Sequence, residues 1–407
     1  MKEYQKLDKK VTTLNIQAGK INEIRDVELQ ESSTRVFRNG KIYSSNYLGE
    51  ITPDELEKDA LANPDGAIEY DYELEKNISF KGKVGENLSS KELFSLSQGL
   101  IDYIKSSLPD FVLSGKMSHE RYQNNLETSE DTKINVSESK TNGFIVLKRK
   151  GSPNIMDSAF GFQTGQKELS LNDMDLFLEL HKKWDNEVSI ENGKYPVLFT
   201  DSTPPFFSKF LQSLSPESYH SGSVFFANEL GKQIAHKDIS FTDVRVNKDF
   251  AILNEYDDEA VKLKPEHFLI RDGVFESIIY DKKMAQKYNT ESTGNGRRSY
   301  NGPITPGTFE TSFKPGTKTI KEMSQEHEKF IISVICGGGD TTSSGDFSSP
   351  VQLAFLVEKG EVIGRLGQIT INNNIKNVLN EDFVAISKDH FYISHSYAFC
   401  GRFNVMS

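Results

Sequence analysis

Three times in this chain a glycine preceded by Asn, Asp or Lys sits between two short apolar runs. The first is Val36-Phe37-Arg38-Asn39-Gly40-Lys41-Ile42-Tyr43, and the second is His267-Phe268-Leu269-Ile270-Arg271-Asp272-Gly273-Val274-Phe275. The third runs from Ala354 to Ile363 around Lys359-Gly360. A two-residue turn of this kind needs backbone at positive φ, which Gly and Asn reach at low cost, so each run folds back on the one before it as an antiparallel hairpin. Three hairpins of one format point to extended antiparallel sheets without establishing an internal repeat.

The third hairpin follows a glycine-rich stretch. Phe330-Ile331-Ile332-Ser333-Val334-Ile335 is β-branched, apolar and of strand length, and Gly337, Gly338 and Gly339 after it cannot continue a packed strand. With no Cβ, these glycines allow a ligand or a neighbouring backbone to approach closely. The loop does not read as a phosphate cradle, since no lysine follows the glycines and Asp340 and Asp346 would repel phosphate. Nor does Asp340-Thr341-Thr342-Ser343-Ser344-Gly345-Asp346 supply the alternating carboxylates and terminal Glu of a helix-flanked calcium loop. From these residues alone, a surface turn and a ligand-contacting loop both stand.

A chain of 407 residues is long enough for two or three domains, each able to bury an ordinary core. It has no apolar run near the ~18 residues that a membrane helix needs, and Met1-Lys2-Glu3 begins no signal-peptide pattern, so the expected location is cytoplasmic. The two cysteines, Cys336 and Cys400, make no disulfide framework. A net charge of −11 with acids and bases intermixed offers no field for nucleic acid, and Arg297-Arg298 reads as a solvated turn.

Along the chain, Thr52-Pro53-Asp54-Glu55 reads as a capped helix start. Residues 89–108 read as an amphipathic helix with Leu93, Leu96, Leu100, Ile101 and Ile104 on one face, a serine cap before it and Pro109 after it. Residues 119–150 read as strands. A second helix is expected over residues 171–185, with His181 as a surface or packed residue. The main boundary falls at the Glu191-Asn192-Gly193 turn, giving regions 1–190 and 191–407 with a sub-boundary near 75–88. Residues 195–200 form the next strand, and Pro204-Pro205 opens a short apolar helix through Leu214. Beyond Gly231 the chain reads as strand and loop almost to its end, with residues 254–259 as a solvated acidic loop.

Several segments in this order match one family. Tyr195-Pro196-Val197-Leu198-Phe199, Leu230-Gly231-Lys232-Gln233-Ile234, Ile270-Arg271-Asp272-Gly273 and Ser292-Thr293-Gly294-Asn295 precede the glycine loop and the hairpin Leu356-Val357-Glu358-Lys359-Gly360. The ordered set resembles the TldD/PmbA proteins; PmbA is also called TldE, and the family was named a modulator of DNA gyrase. The match is best over residues 193–401 and weaker but collinear over 10–185. The resemblance implies an α+β fold, with an α/β N-terminal region and a C-terminal region of long antiparallel sheets that carries a dimer interface and a cleft. It also implies a complex in which a TldD-like zinc peptidase pairs with a metal-free PmbA/TldE-like subunit and takes in an unfolded or flexible peptide, held by backbone pairing.

The peptidase branch of that family carries His-Glu-x3-His on the helix corresponding to residues 204–218. Here the segment reads Pro204-Pro205-Phe206-Phe207-Ser208-Lys209-Phe210-Leu211-Gln212-Ser213-Leu214-Ser215-Pro216-Glu217-Ser218, with no histidine. His220 lies just beyond it and reads as a polar loop histidine. Cys400-Gly401 resembles the family's C-terminal Cys-Gly, whose cysteine is a zinc ligand in the TldD branch. His390, His395 and Cys400 are five residues apart, a step that aligns them on neither a strand nor a helix, so at most two can converge. No Gly-x-Ser-x-Gly is present, and Cys336 at a strand end reads as inert core.

The expectation is therefore a PmbA/TldE-like subunit with no metal, cofactor or catalytic residue of its own, the zinc sitting in a TldD-like partner. Direct contact with nucleic acid or membrane is not expected. The residues expected to meet the peptide or the partner are Gly337, Gly338, Gly339 and Asp340 at the rim, with Ser344, Gly345 and Phe347 behind them. Two alternatives remain: a homodimeric peptide-binding or regulatory protein without a peptidase partner, and a peptidase with a rearranged metal site.

Overall fold

A computed structural model describes residues 1–63, 67–70, 72–200, 203–299 and 302–407 of the chain. The chain begins with a long ribbon, β1 (Lys2–Gln17) and β2 (Lys20–Arg38), joined at Ala18-Gly19 with φ of +51° and +68°. This ribbon carries little strand signal in the sequence, because Lys, Glu, Asp and Asn break its apolar alternation and Ala stands where Asn or Asp marks a tight turn. The three hairpins that the sequence does mark are all present. Asn39-Gly40, Asp272-Gly273 and Lys359-Gly360 take positive φ, and the pairs Arg38↔Lys41, Arg271↔Val274 and Glu358↔Glu361 close them.

The rest of the N-terminal half comprises β3 (Lys41–Leu48), α1 (Pro53–Ala62), β4 (Ile68–Glu69), β5 (Ser79–Val84), α2 (Ser90–Ser107), β6 (Phe111–Thr128), β7 (Lys133–Arg149) and β8 (Ser158–Thr164). Among the described residues these strands form one sheet in the order β4-β3-β2-β1-β6-β7-β5, with β8 also on β7. Every pairing in it is antiparallel except β5 with β7. Both expected helix starts have reciprocal caps, Thr52 with Glu55 and Ser89 with Glu92, each satisfying backbone N–H groups that a helix start leaves free. Helix α2 buries Leu93, Leu100, Ile101 and Ile104. The second expected helix is shorter than its apolar pattern: a 3-10 turn, Leu171–Met174, leads into α3 (Asp175–Lys182). His181 on α3 is packed against Trp184 and Phe355, and burial pushes its pKa down to about 4.

In the C-terminal half, Phe330–Cys336, Gly193–Phe199, Phe399–Met406, Ile369–Asn374, Asp346–Glu358, Glu361–Leu366 and Glu187–Val188 lie side by side in that order. Phe330–Cys336 also pairs with Asp346–Glu358, which closes five of these strands into a ring. The sheet is antiparallel apart from Gly193–Phe199 beside Phe330–Cys336 and Glu361–Leu366 beside Glu187–Val188. A smaller sheet holds Val274–Phe275, His267–Arg271, Phe241–Val244 and Glu310–Phe313. Short helices, Lys282–Lys287, Ile320–Gln325 and Ile375–Leu379, interrupt the stretch expected to be strand and loop alone. Each has a side-chain cap, from Asp281, Thr319 and Asn374, that stabilises a helix too short to be marked by periodicity.

The faces of the C-terminal sheet divide the core in two. One face sends Val197, Phe199, Phe399 and Phe403 into an aromatic cluster that includes Phe206, Phe207 and Phe210. The other sends Leu198, Ile332, Phe355 and Cys400 against Ile101 and Ile104 of α2 and Met117 and Ile145 of the N-terminal sheet, so apolar burial continues across both halves. No helix among the described residues is long and apolar enough to cross a membrane.

Candidate functional site

The glycine loop leaves the end of Phe330–Cys336 and returns as Asp340–Thr341, which pairs with Ser348 and Phe347 of the next long strand. At Gly337 and Gly338 a Cβ would meet no heavy atom within 4 Å, and Gly338 sits at φ +78°. These two positions form an open rim. Gly339 is different: its backbone is pressed on its own neighbour, and a Cβ there would come within 2.1 Å of the Ser348 carbonyl oxygen. Gly345, at φ +91°, is closed by the Phe225 ring, 2.5 Å from where its Cβ would stand.

Polar contacts fix the far side of the loop. The Ser344 hydroxyl donates to Asp346 Oδ2 at 2.7 Å, and Asn374 Nδ2 donates to Asp346 Oδ1 at 2.9 Å. Those bonds hold the Asp346 carboxyl below its ordinary pKa. Asp340 and Ser344 are exposed. Phe347 is not a contact residue: it is 4% exposed, and its ring stacks on Phe206 with centroids 5.1 Å apart. It falls on the inward face of a strand that starts at Asp346, earlier than the apolar run of residues 354–357 indicates.

Facing that strand, Pro205–Phe207 is a 3-10 turn and Ser208–Gln212 a short helix. Phe206 meets Phe399 at 5.4 Å, Phe207 meets Phe241 at 4.8 Å and Phe313 at 5.1 Å, and Phe210 meets Phe275 at 5.2 Å. The inward face of this segment is hydrocarbon. His220 ends the next helix, with Nε2 2.9 Å from the Tyr280 hydroxyl and its ring stacked on Tyr288.

With the loop and this segment placed, the chain can be set beside known proteins. Residues 192–401 match the model of the PmbA/TldA metallopeptidase C-terminal domain. The chain belongs to the PmbA/TldD family. A metalloprotease TldD homolog of Buchnera aphidicola subsp. Schizaphis graminum is 24% identical over 215 residues, covering 52% of this chain and 44% of that protein. The chain thus spans less than half the length of that relative. In fold the likeness runs the whole way. TldE from Thermococcus kodakarensis superimposes with a TM-score of 0.83 at 18% identity, covering 100% of this chain and 96% of the other. A Thermotoga maritima protein described as a modulator of a DNA gyrase gives 0.78 at 20% identity, covering 99% and 95%.

Relatives in the PmbA/TldD family carry the name metalloprotease, so the donors present here can be tested against a zinc ion. Cys400 is fully buried between Leu198 and Ala385 in the sheet, and burial pushes its thiol well above the ordinary range, away from the thiolate that metal binding needs. Residues 387–398 are irregular rather than a strand, and His390 and His395 both flank Phe250 while Cys400 lies inside the sheet. Two of the three come together and the third does not. Among the described residues no three His, Cys, Asp or Glu side chains gather in an arrangement that could hold a metal. A zinc held as in a peptidase does not fit these residues.

Two buried polar groups differ from what the sequence led one to expect. Ser277 Oγ is 3.0 Å from His267 Nε2, and Asp243 Oδ2 is 3.6 Å from His267 Nδ1, which is the residue set of a hydrolytic triad. Arg245 reverses its proton map. Its Nη2 is 2.6 Å from Nδ1 and can only donate, so Nδ1 accepts and Nε2 carries the proton. Burial also holds His267 below its ordinary pKa, leaving a neutral ring with no lone pair toward Ser277 and no capacity to act as its base.

The second group corrects two expectations. Residues 254–259 are not a solvated acidic loop, since Asp257 and Glu259 are 3% and 2% exposed. Arg298 is not in a solvated turn either; its guanidinium bonds Glu3 and, at 2.9 Å, the Ser33 hydroxyl. Glu3 also accepts from Arg35 Nε at 3.0 Å and Nη2 at 2.8 Å. The network ties the first strand of the N-terminal sheet to the C-terminal half, beside a cavity of about 300 Å³ lined by Tyr122, Glu255, Tyr256 and Arg298. Partners so distant in sequence leave no local signal.

Proposed function

We propose that this chain is a metal-free, PmbA/TldE-like subunit that pairs with a TldD-like zinc peptidase and contributes to the cleft that holds a flexible peptide. The observation that carries the reading is the segment Pro205–Gln212. Where the peptidase branch needs two histidines and a glutamate, it presents Phe206, Phe207 and Phe210 to a packed aromatic cluster. Such side chains supply neither a lone pair nor room for a metal-bound water.

The purified chain is expected to hold well under one zinc per chain and to leave an unstructured peptide intact. Cleavage appears on adding a TldD-like subunit, with the metal in that subunit. Histidines introduced at Phe207 and Leu211 do not restore activity, because nothing around them orients an imidazole. Elemental analysis and a peptide-cleavage assay on each subunit and the mixture check this. Stoichiometric zinc with chelator-sensitive cleavage by this chain alone would overturn it.

The rim makes a second, separable prediction. A Cβ at Gly338 meets no heavy atom within 4 Å, so Gly338→Val is expected to remain folded and to lose on the order of 1 kcal/mol from its positive φ. If the peptide or partner backbone passes over this rim, the same variant loses capture. Melting temperature and binding measured on one sample separate the effects, and a folded variant that binds normally would remove the rim from the cleft.

A further inference from the structure

One face of the N-terminal sheet carries an open hollow of about 660 Å³, walled by Gly49 and Glu50 before α1 and by Asn87 before α2. Strand pairing lays its floor in a row: Lys83 of β5, Ser137 of β7, Gln123 of β6, Asp8 of β1 and Gln30 of β2. Arg121 stands one step from Gln123 on the same face of β6, opposite Ser139 of β7. Counting two strand spacings and one two-residue step, Lys83 and Arg121 are about 12 Å apart at their Cα atoms. The short side chains of Ser137 and Ser139 lie between these two long ones, so the space above the serines is left unfilled. Gly85 brings in the wall. At φ +74° it passes so close to β7 that a Cβ would come within 1.8 Å of the Ser139 carbonyl oxygen. Two residues on, Asn87 Oδ1 accepts from the Ser139 hydroxyl at 2.6 Å, which leaves Asn87 Nδ2 as a donor beside the serines.

This end of the hollow holds donors without acceptors. Among the described residues the Lys83 and Arg121 side chains make no hydrogen bond and no ion pair, and Asn87 Nδ2 makes none either. The carboxylates that line the hollow are occupied or distant. Glu28 accepts from Lys10, which stands between it and Arg121, while Glu138 pairs with Lys140 at 2.8 Å and Asp8 lies 3.4 Å from Lys6. Glu50 follows Gly49, whose N–H bonds the Gln30 carbonyl, and so lies at the opposite end of the row from Lys83. An ammonium, a guanidinium fork and an amide left unpaired around one space call for an anion, and three donor groups suit the three terminal oxygens of a phosphate monoester better than the two of a carboxylate. The hollow is larger than a phosphate. The rest of the row, Gln123, Asp8 and Gln30, offers amides and a carboxylate that hydrogen-bond hydroxyl groups.

We infer that this hollow binds a small phosphorylated sugar or polyol, its phosphate held by Lys83, Arg121 and Asn87 and its hydroxyls by the row from Gln123 to Gln30. The site lies wholly in the N-terminal half and needs neither the glycine rim nor a peptidase partner, so its failure would leave the proposed function standing.

Isothermal titration of the full chain at low salt tests it, with inorganic phosphate, glucose 6-phosphate and glucose as probes. Inorganic phosphate should bind with a Kd of about 1 mM or tighter, glucose 6-phosphate more tightly still, and glucose not measurably. Raising the salt to ~0.15 M should weaken both anions, because exposed charges are then screened. Lys83 is exposed, so Lys83→Gln keeps the wild-type melting temperature. Lys83→Gln and Arg121→Gln should each weaken glucose 6-phosphate at least about tenfold, whereas Lys264→Gln, exposed in the C-terminal half, should leave it unchanged. No phosphate binding, glucose 6-phosphate no tighter than phosphate or glucose, or an affinity unmoved by Lys83→Gln and Arg121→Gln would each overturn the inference. A single-stranded oligonucleotide that binds more tightly than glucose 6-phosphate would also overturn it, by making the hollow part of a nucleic-acid surface.

Discussion

Phe207→Ala is expected to lower unfolding free energy by about 3–5 kcal/mol, the cost of emptying a buried aromatic site. The ring is fully buried and meets three others, Phe210, Phe241 and Phe313, with centroids between 4.8 and 5.1 Å. Removing it takes away transfer free energy and ring–ring contacts together, and neighbours carried on three different elements cannot all collapse into the gap. The loss should be much larger than for Phe144→Ala, whose side chain is 55% exposed. Chemical denaturation of the two variants checks this. An equal effect would mean that the aromatic cluster is loosely packed and would weaken the case that it leaves no room for a metal site.

Glu3→Gln should cost about as much, roughly 3–5 kcal/mol, by leaving buried charge uncompensated. Glu3 is 1% exposed and faces the guanidinium groups of Arg35 and Arg298, both nearly buried. With its charge gone, the remaining nearby carboxylate is that of Glu259, 3.9 Å from Arg35. The pH dependence has a definite sign. Although burial opposes it, the two arginines hold the Glu3 carboxyl down to about 2, below its ordinary 4.5. Its contribution is complete above about pH 4.5 and is lost as pH falls toward 2. Asp257 runs the other way: burial first, and then the charge of Glu259, push it up to about 7 from 3.8. Stability from that group falls as pH rises from about 4 through 7. Melting temperature should therefore peak near pH 5 and decline on both sides, and the acidic decline should shrink in Glu3→Gln. A wild-type profile flat from pH 3 to 8 would refute this reading of the network.

Which of these features could be read in advance depended on how far apart in the chain the cause lay. The hairpins at Asn39-Gly40, Asp272-Gly273 and Lys359-Gly360 were legible because two adjacent residues and their positive φ decide them. Helix α2 was legible because its cap, its apolar stripe and the proline after it lie within about twenty residues. Helix α3 came out shorter than its stripe, and the helices Lys282–Lys287 and Ile375–Leu379 were missed, because five or six residues hold too little periodicity to register.

At the candidate site the sequence by itself determined two things. Segment 204–218 contains no histidine, and Gly337-Gly338 has no Cβ to hold a neighbour away, since both follow from residue chemistry alone. Tertiary structure decided the rest. Phe347 became core because a strand beginning at Asp346 turns it inward onto Phe206. His267 could pass for a catalytic base until Arg245 was seen to occupy its Nδ1. Asp257 and Glu259, ordinary surface residues by composition, lie buried, and Glu259 stands 3.9 Å from Arg35 in the network of Glu3, Arg35 and Arg298. Burying a charge is costly unless a partner of opposite sign is brought to it, and here those partners come from the opposite end of the chain, where only the folded sheet can place them.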